Sequence, residues 1–80
     1  MRLVAEFTTE PFDVDENSPP AHATEALRVA EAAGLDCDFG PLGTQVSGEQ
    51  ELLLAALPKV LDAAFGGGAS QVTLQVRRDA

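Results

Sequence analysis

The stretch Gly34-Leu35-Asp36-Cys37-Asp38-Phe39-Gly40-Pro41-Leu42-Gly43-Thr44-Gln45-Val46-Ser47-Gly48-Glu49 closes one helix, makes a hairpin and opens the next helix. Gly34 can take the left-handed conformation that ends a helix. Asp36 to Phe39 alternates polar and apolar residues, as a half-buried strand does. Gly40-Pro41 is a turn signal. Leu42, Thr44 and Val46 then share one face of a second strand, and Gln45 and Ser47 the other. Ser47 can cap the next helix, with Gln50 three residues on, as a capping box requires.

Working outward, Arg2 to Thr9 reads as a strand with Leu3, Ala5 and Phe7 on one face and Val4, Glu6 and Thr8 on the other. Glu10 to Pro20 reads as a loop rich in acidic residues and proline. Ser18 is placed to cap a helix with Pro19 at its first position, and the helix then runs to about Ala33. Ala23, Ala26, Leu27, Ala30 and Ala33 give it a narrow apolar face of small residues. Glu25, Arg28 and Glu31 lie opposite, with weak pairing at i,i+3.

Downstream, a second helix is expected from about Gly48 to Phe65, burying Leu53, Leu57, Val60, Leu61 and Ala64. Glu49 and Glu51 suit its first turn, where the helix dipole favours negative charge. Leu52 and Leu54 widen the stripe beyond what one sheet needs and point to a subunit contact. Pro58 lacks a backbone donor and is expected to kink or break this helix near Leu54. Gly66-Gly67-Gly68 ends it. Ala69 to Arg77 alternates as a last strand, and Arg78-Asp79-Ala80 reads as a frayed tail.

The order strand, helix, strand, strand, helix, strand, with two right-handed crossovers, predicts an α+β fold. It is the ferredoxin-like βαββαβ sandwich, a four-stranded antiparallel sheet with both helices on one face. At 80 residues the chain is long enough for a single domain, residues 1–80, and not for two. A core this small is modest, and oligomerisation is a common remedy. The other sheet face presents Val4, Glu6, Thr8, Gln45, Ser47, Thr73 and Gln75, a surface on which a second subunit could stack.

Thirteen acidic residues against five basic ones give a formal charge of −8. That argues against nucleic acid and anionic membranes, which attract basic surfaces. It is compatible with a cationic small molecule, though acidity also simply favours solubility. A single cysteine makes no internal disulfide and implies no oxidising compartment. No secretory signal is visible, and no apolar run approaches the roughly 20 residues that span a bilayer. A cytoplasmic location is expected.

Catalytic chemistry finds little support. His22, the only histidine, reads as a solvated residue near the start of an exposed helix, without the positioned partner that acid–base work needs. Cys37 reads as an inert strand thiol, with no positive neighbour in sequence to lower its pKa. There is no His pair or paired cysteines for a metal, and the Asp13 to Asn17 run lacks the glycine and terminal glutamate of a calcium loop. Small-molecule recognition remains. A strand carboxylate such as Glu6 is costly to bury unless paired, so it reads either as a ligand contact or as a solvent-facing residue. Thr8 and Thr44 offer hydroxyls or serve as β-branched strand formers. Phe39 can stack on a planar ring or pack in the core. Gly43 lets a ligand approach the backbone or only shapes the hairpin. Glu49 touches ligand or complements the helix dipole.

The run Gly40-Pro41-Leu42-Gly43-Thr44, followed by Gly48-Glu49, resembles the signature of a family of small thiamine-binding proteins of ferredoxin-like fold. The resemblance extends through Val4 to Pro11, Leu57 to Phe65 and Ala69 to Val76. It implies binding of thiamine or its hydroxymethylpyrimidine moiety without turnover, as carrier or buffer, with no catalytic residue, metal or cofactor. It also implies self-association through the sheets as dimers or tetramers. By position it singles out Glu6, Thr8, Phe39, Gly43 and Thr44. Two other readings stay open: a structural or regulatory module that docks another protein, and a degenerate small enzyme using His22 or Cys37.

Overall fold

A computed structural model describes residues 1–11, 21–40 and 43–79. The expected cap Ser18-Pro19, the acidic run from Asp13, the positions Pro41 and Leu42, and Ala80 lie outside the described residues. The elements are β1 (Arg2–Glu10), α1 (Ala21–Ala32), β2 (Asp36–Gly40), β3 (Gly43–Glu49), α2 (Gln50–Gly66) and β4 (Gln71–Arg78). The strands form one antiparallel sheet in the order β2-β3-β1-β4. This is the α+β ferredoxin-like arrangement.

Register follows from burying one face. Ala5 stands opposite Val46 on β3 and Val76 on β4, and Phe7 opposite Thr44 and Leu74. Ala5, Phe7 and Val46 join Ala26 and Ala30 of α1 and Leu53, Leu57, Val60 and Ala64 of α2 in the core. A one-residue slip would exchange this set for charged and polar residues, which fixes the pairing. Alanine dominates the buried side of α1, so its backbone can lie close to the sheet.

Gly34 ends α1 with φ +88°, and the Leu35 N–H donates to the Ala30 carbonyl at 3.3 Å, as in a left-handed helix stop. The start of α2 differs from expectation. Ser47 and Gly48 continue β3, the helix begins at Gln50, and its N-cap Glu49 makes no side-chain capping bond. Sheet pairing to Val4 and Leu3 wins over the local cap. The Gln50 N–H donates instead to the Met1 carbonyl at 2.8 Å, one of the orphan donors of a helix start finding a partner. Pro58 does not break α2, which runs unbroken across it. Pro58 lies on the exposed side, where the Leu54 carbonyl that loses its partner can turn to water.

His22 is a correction of a different kind. It is buried, at 4% exposure. Its Nε2 lies 2.7 Å from the Pro11 carbonyl and its Nδ1 2.6 Å from the Thr9 hydroxyl. A carbonyl only accepts, so Nε2 donates to Pro11, while the Thr9 hydroxyl, able to donate or accept, partners Nδ1. The imidazole ties the end of β1 to the first turn of α1. Gly67 lies against the same turn: a Cβ there would come within 2.8 Å of the His22 Cα.

A candidate ligand site on the open sheet face

Antiparallel pairing brings Asp38, Gln45, Glu6 and Gln75 into one row across all four strands. Their side chains share the face away from the helices, because Cys37, Val46, Ala5 and Val76 occupy the opposite one. A neighbouring row holds Gly40 opposite Gly43 and Thr8 opposite Thr73. Between these rows lies a depression of about 400 Å³, within the size range of small-molecule sites.

The floor is open because Gly43 has no side chain. A Cβ there would meet Thr8 Cγ2 at 3.0 Å and the Phe7 carbonyl oxygen at 3.1 Å. The walls carry hydroxyls from Thr8 and Thr73 and amides from Gln45 and Gln75. Two carboxylates stand on either side of Gln45. With strands about 4.8 Å apart, the backbones of Asp38 and Glu6 are separated by about 10 Å.

The two carboxylates differ. Glu6 Oε1 accepts a hydrogen bond from the Arg77 guanidinium at 2.9 Å. Arg77 stands opposite Val4 and reaches towards Glu6, so its aliphatic stem passes beside Val4, which is only 4% exposed on this face. Asp38 is exposed and has no ion pair among the described residues. The unbalanced negative charge of the depression therefore sits on β2.

The residues singled out in the sequence fall into three places. Glu6, Thr8 and Gly43 meet at the depression. Thr44 borders it, but its side chain lies with Phe7 and Val46 on the helix-facing side and is 4% exposed, so its backbone is what faces the depression. Phe39 pairs with Thr44 and shares that side, half-buried, away from the open face. Glu49 lies at the far end of β3, opposite Arg2, and accepts from the Met1 amine at 3.3 Å. It is six residues along the strand from Gly43, about 20 Å. Asp38 went unnoticed in the sequence. Its signal was the alternation of Asp36 and Asp38 with Cys37 and Phe39, combined with the hairpin register.

Cys37 faces the helices, so its thiol is on the wrong side of the sheet for the depression. Burial first, and then the charges of Glu31 and Asp36, push its pKa up. All three disfavour the thiolate, the reactive form. His22 is held in its own buried network near the end of β1 and takes no part in the depression. No helix among the described residues is long and apolar enough to cross a membrane.

Solved structures of similar architecture come from several organisms. A protein from Streptococcus pneumoniae superposes with a TM-score of 0.69 at 19% identity, covering 96% of this chain and 83% of that one. A candidate thiamine biosynthesis/salvage protein from Thermotoga maritima gives a TM-score of 0.67 at 18% identity, covering 96% and 81%. A domain of unknown function from Bacillus cereus gives 0.66 at 20% identity, covering 95% and 72%. Likeness at this identity establishes a shared fold. No match was found among curated protein sequences. The sequence pattern of the thiamine-binding protein family, in contrast, matches residues 5–80, which include β2, β3, β4 and most of β1. The chain belongs to the thiamine-binding protein family.

Proposed function

We propose that the depression on the open sheet face binds thiamine or its hydroxymethylpyrimidine moiety without turning it over, as a cytoplasmic carrier or buffer. The observation that carries this reading is the pair of carboxylates, Glu6 and Asp38, set either side of Gln45 in a hollow of hydroxyls and amides. An aminopyrimidine can donate to the free oxygen of Glu6, already fixed by Arg77. A cationic thiazolium is attracted to the unpaired Asp38. Thr8, Thr73 and the amides supply donors and acceptors in either sense. The hollow is open to solvent on the outer side, and a second subunit stacking its own sheet there would close it and exclude water. The placement of Cys37 and His22 away from the hollow supports binding over catalysis.

Calorimetric titration with thiamine and with hydroxymethylpyrimidine tests the reading. Saturable heat is expected for both, with thiamine favoured at low salt. Glu6→Gln should weaken both ligands, and Asp38→Asn should weaken thiamine selectively. Glu31→Gln, on the exposed side of α1, should change neither. No heat and no thermal shift with millimolar ligand would remove the proposal.

A further inference from the structure

We infer that the hollow on the open sheet face discriminates by phosphorylation: it takes thiamine and hydroxymethylpyrimidine as free alcohols and rejects their phosphate esters. The inference rests on the ligand reading above and adds a place in a reaction sequence. The ligand is held before phosphoryl transfer to its hydroxyl, and that transfer turns it into a poor ligand.

A phosphate is recognised by cations or by converging N–H donors. The chain has five lysines and arginines, and all of them lie among the described residues. Arg28 and Lys59 belong to the helices, on the other side of the sheet. Arg78 stands opposite Leu3 and so shares the helix-facing row. Arg2 is on the open face, but it lies four residues along β1 from Glu6, about 13 Å, and pairs with Asp36 at 3.1 Å. Arg77 comes nearest, and its guanidinium is already held by Glu6 at 2.9 Å. The Met1 amine is at the far end of β3, on Glu49.

Neither helix start serves instead. The Gln50 N–H that opens α2 donates to the Met1 carbonyl, again at the far end of β3. The first turn of α1 lies on the helix-facing side, with Gly67 packed against the backbone of His22.

The hollow itself is lined by charge of the opposite kind to what a phosphate needs. Asp38 and Glu6 both line it. Asp38 is exposed and has no ion pair among the described residues. The other polar side chains there, Thr8, Gln45, Thr73 and Gln75, are uncharged. Amides and hydroxyls suit a free alcohol, because they give and take hydrogen bonds.

A phosphate monoester brings a charge of about −1.5 to −2 at neutral pH. In thiamine the hydroxyl arm hangs from the thiazolium ring, so its ester lies close to the carboxylate that attracts the ring. At roughly 6 Å in water, a dianion and Asp38 repel enough to weaken binding about tenfold. The ester also cancels the positive charge of the thiazolium and with it the attraction to β2. A second phosphate extends further into solvent, where screening leaves it a smaller effect.

Calorimetric titration at low salt with thiamine, its monophosphate and its diphosphate reads the discrimination. The monophosphate should bind at least tenfold more weakly than thiamine, the diphosphate little weaker again, and the gap should narrow as salt rises. Asp38→Asn should bring thiamine and the monophosphate together, and Asp38→Lys should invert their order. Glu31→Lys makes the same change in net charge on the exposed side of α1 and should leave the ratio as it is in the unaltered chain. A monophosphate that binds as tightly as thiamine, a ratio indifferent to Asp38→Lys, or one shifted equally by Glu31→Lys would overturn the inference and leave the ligand reading in place. No heat from thiamine itself would end both.

Discussion

The Arg77 guanidinium and the Glu6 carboxylate meet at 2.9 Å across the boundary between β4 and β1, and Glu6 lines the hollow proposed to bind thiamine. Both side chains are about half exposed, so the pair contributes on the order of 0–1 kcal/mol to stability. Its larger consequence is for the ligand. Arg77 fixes one oxygen of Glu6 and offsets the attraction of a cation to the other.

Arg77→Gln should therefore split the two ligands. Removing a positive charge about 6 Å from a bound cation is worth about 0.7 kcal/mol in water, roughly threefold in affinity. Thiamine should bind more tightly to the variant, and the gain should fade as salt is raised. Neutral hydroxymethylpyrimidine should gain nothing. If both ligands weaken together, Arg77 serves to hold Glu6 in place rather than to balance its charge. Unfolding by urea should show a loss below about 1 kcal/mol in either case.

Much of this geometry was legible in the residues. Alternation in Arg2 to Thr9 and in Gln71 to Arg77, with glycine stops at Gly34 and Gly66, specified the sheet and both crossovers. The faces of β3 followed from Val46, which needs a core. Three things were misread. Ser47 looked like a helix cap because capping is local, whereas its sheet partner Val4 lies far away in the sequence. Phe39 and Thr44 were singled out by position in the resemblance, although Val46 already set Thr44 on the core side, and the hairpin register then carries Phe39 to that side with it. His22 looked solvated because its partners, Thr9 and Pro11, lie outside its own helix.

That imidazole gives the second prediction. His22 is buried with both ring nitrogens satisfied, and a buried polar group left without a partner costs about 1–3 kcal/mol. Thr9→Val keeps the shape and removes the hydroxyl from Nδ1, so it should destabilise by about that amount. Thr8→Val, the adjacent change on the open face, should cost less than about 0.5 kcal/mol. Urea midpoints compare the two. Equal midpoints would show that the Thr9–His22 contact contributes nothing to the folded state.

Gly43 offers the sharpest separation of fold from site. A methyl group there would press on Thr8 Cγ2 at 3.0 Å and on the Phe7 carbonyl oxygen at 3.1 Å. Gly43→Ala should cost about 1–3 kcal/mol, as overpacking does, and should reduce ligand affinity by filling the floor of the hollow. Gly66→Ala meets nothing within 4 Å and lies at the end of α2. There the ordinary helix preference for alanine should leave stability unchanged or raise it by up to about 1 kcal/mol. Because the cost at position 43 is shared between a movable methyl and a fixed carbonyl, Thr8→Ser combined with Gly43→Ala should recover part of the stability. Contacting pairs couple by about 0.5–3 kcal/mol in such cycles. Strict additivity of the two changes would mean that the Phe7 carbonyl and the φ of +159° at Gly43 carry the cost, with no share from the Thr8 methyl.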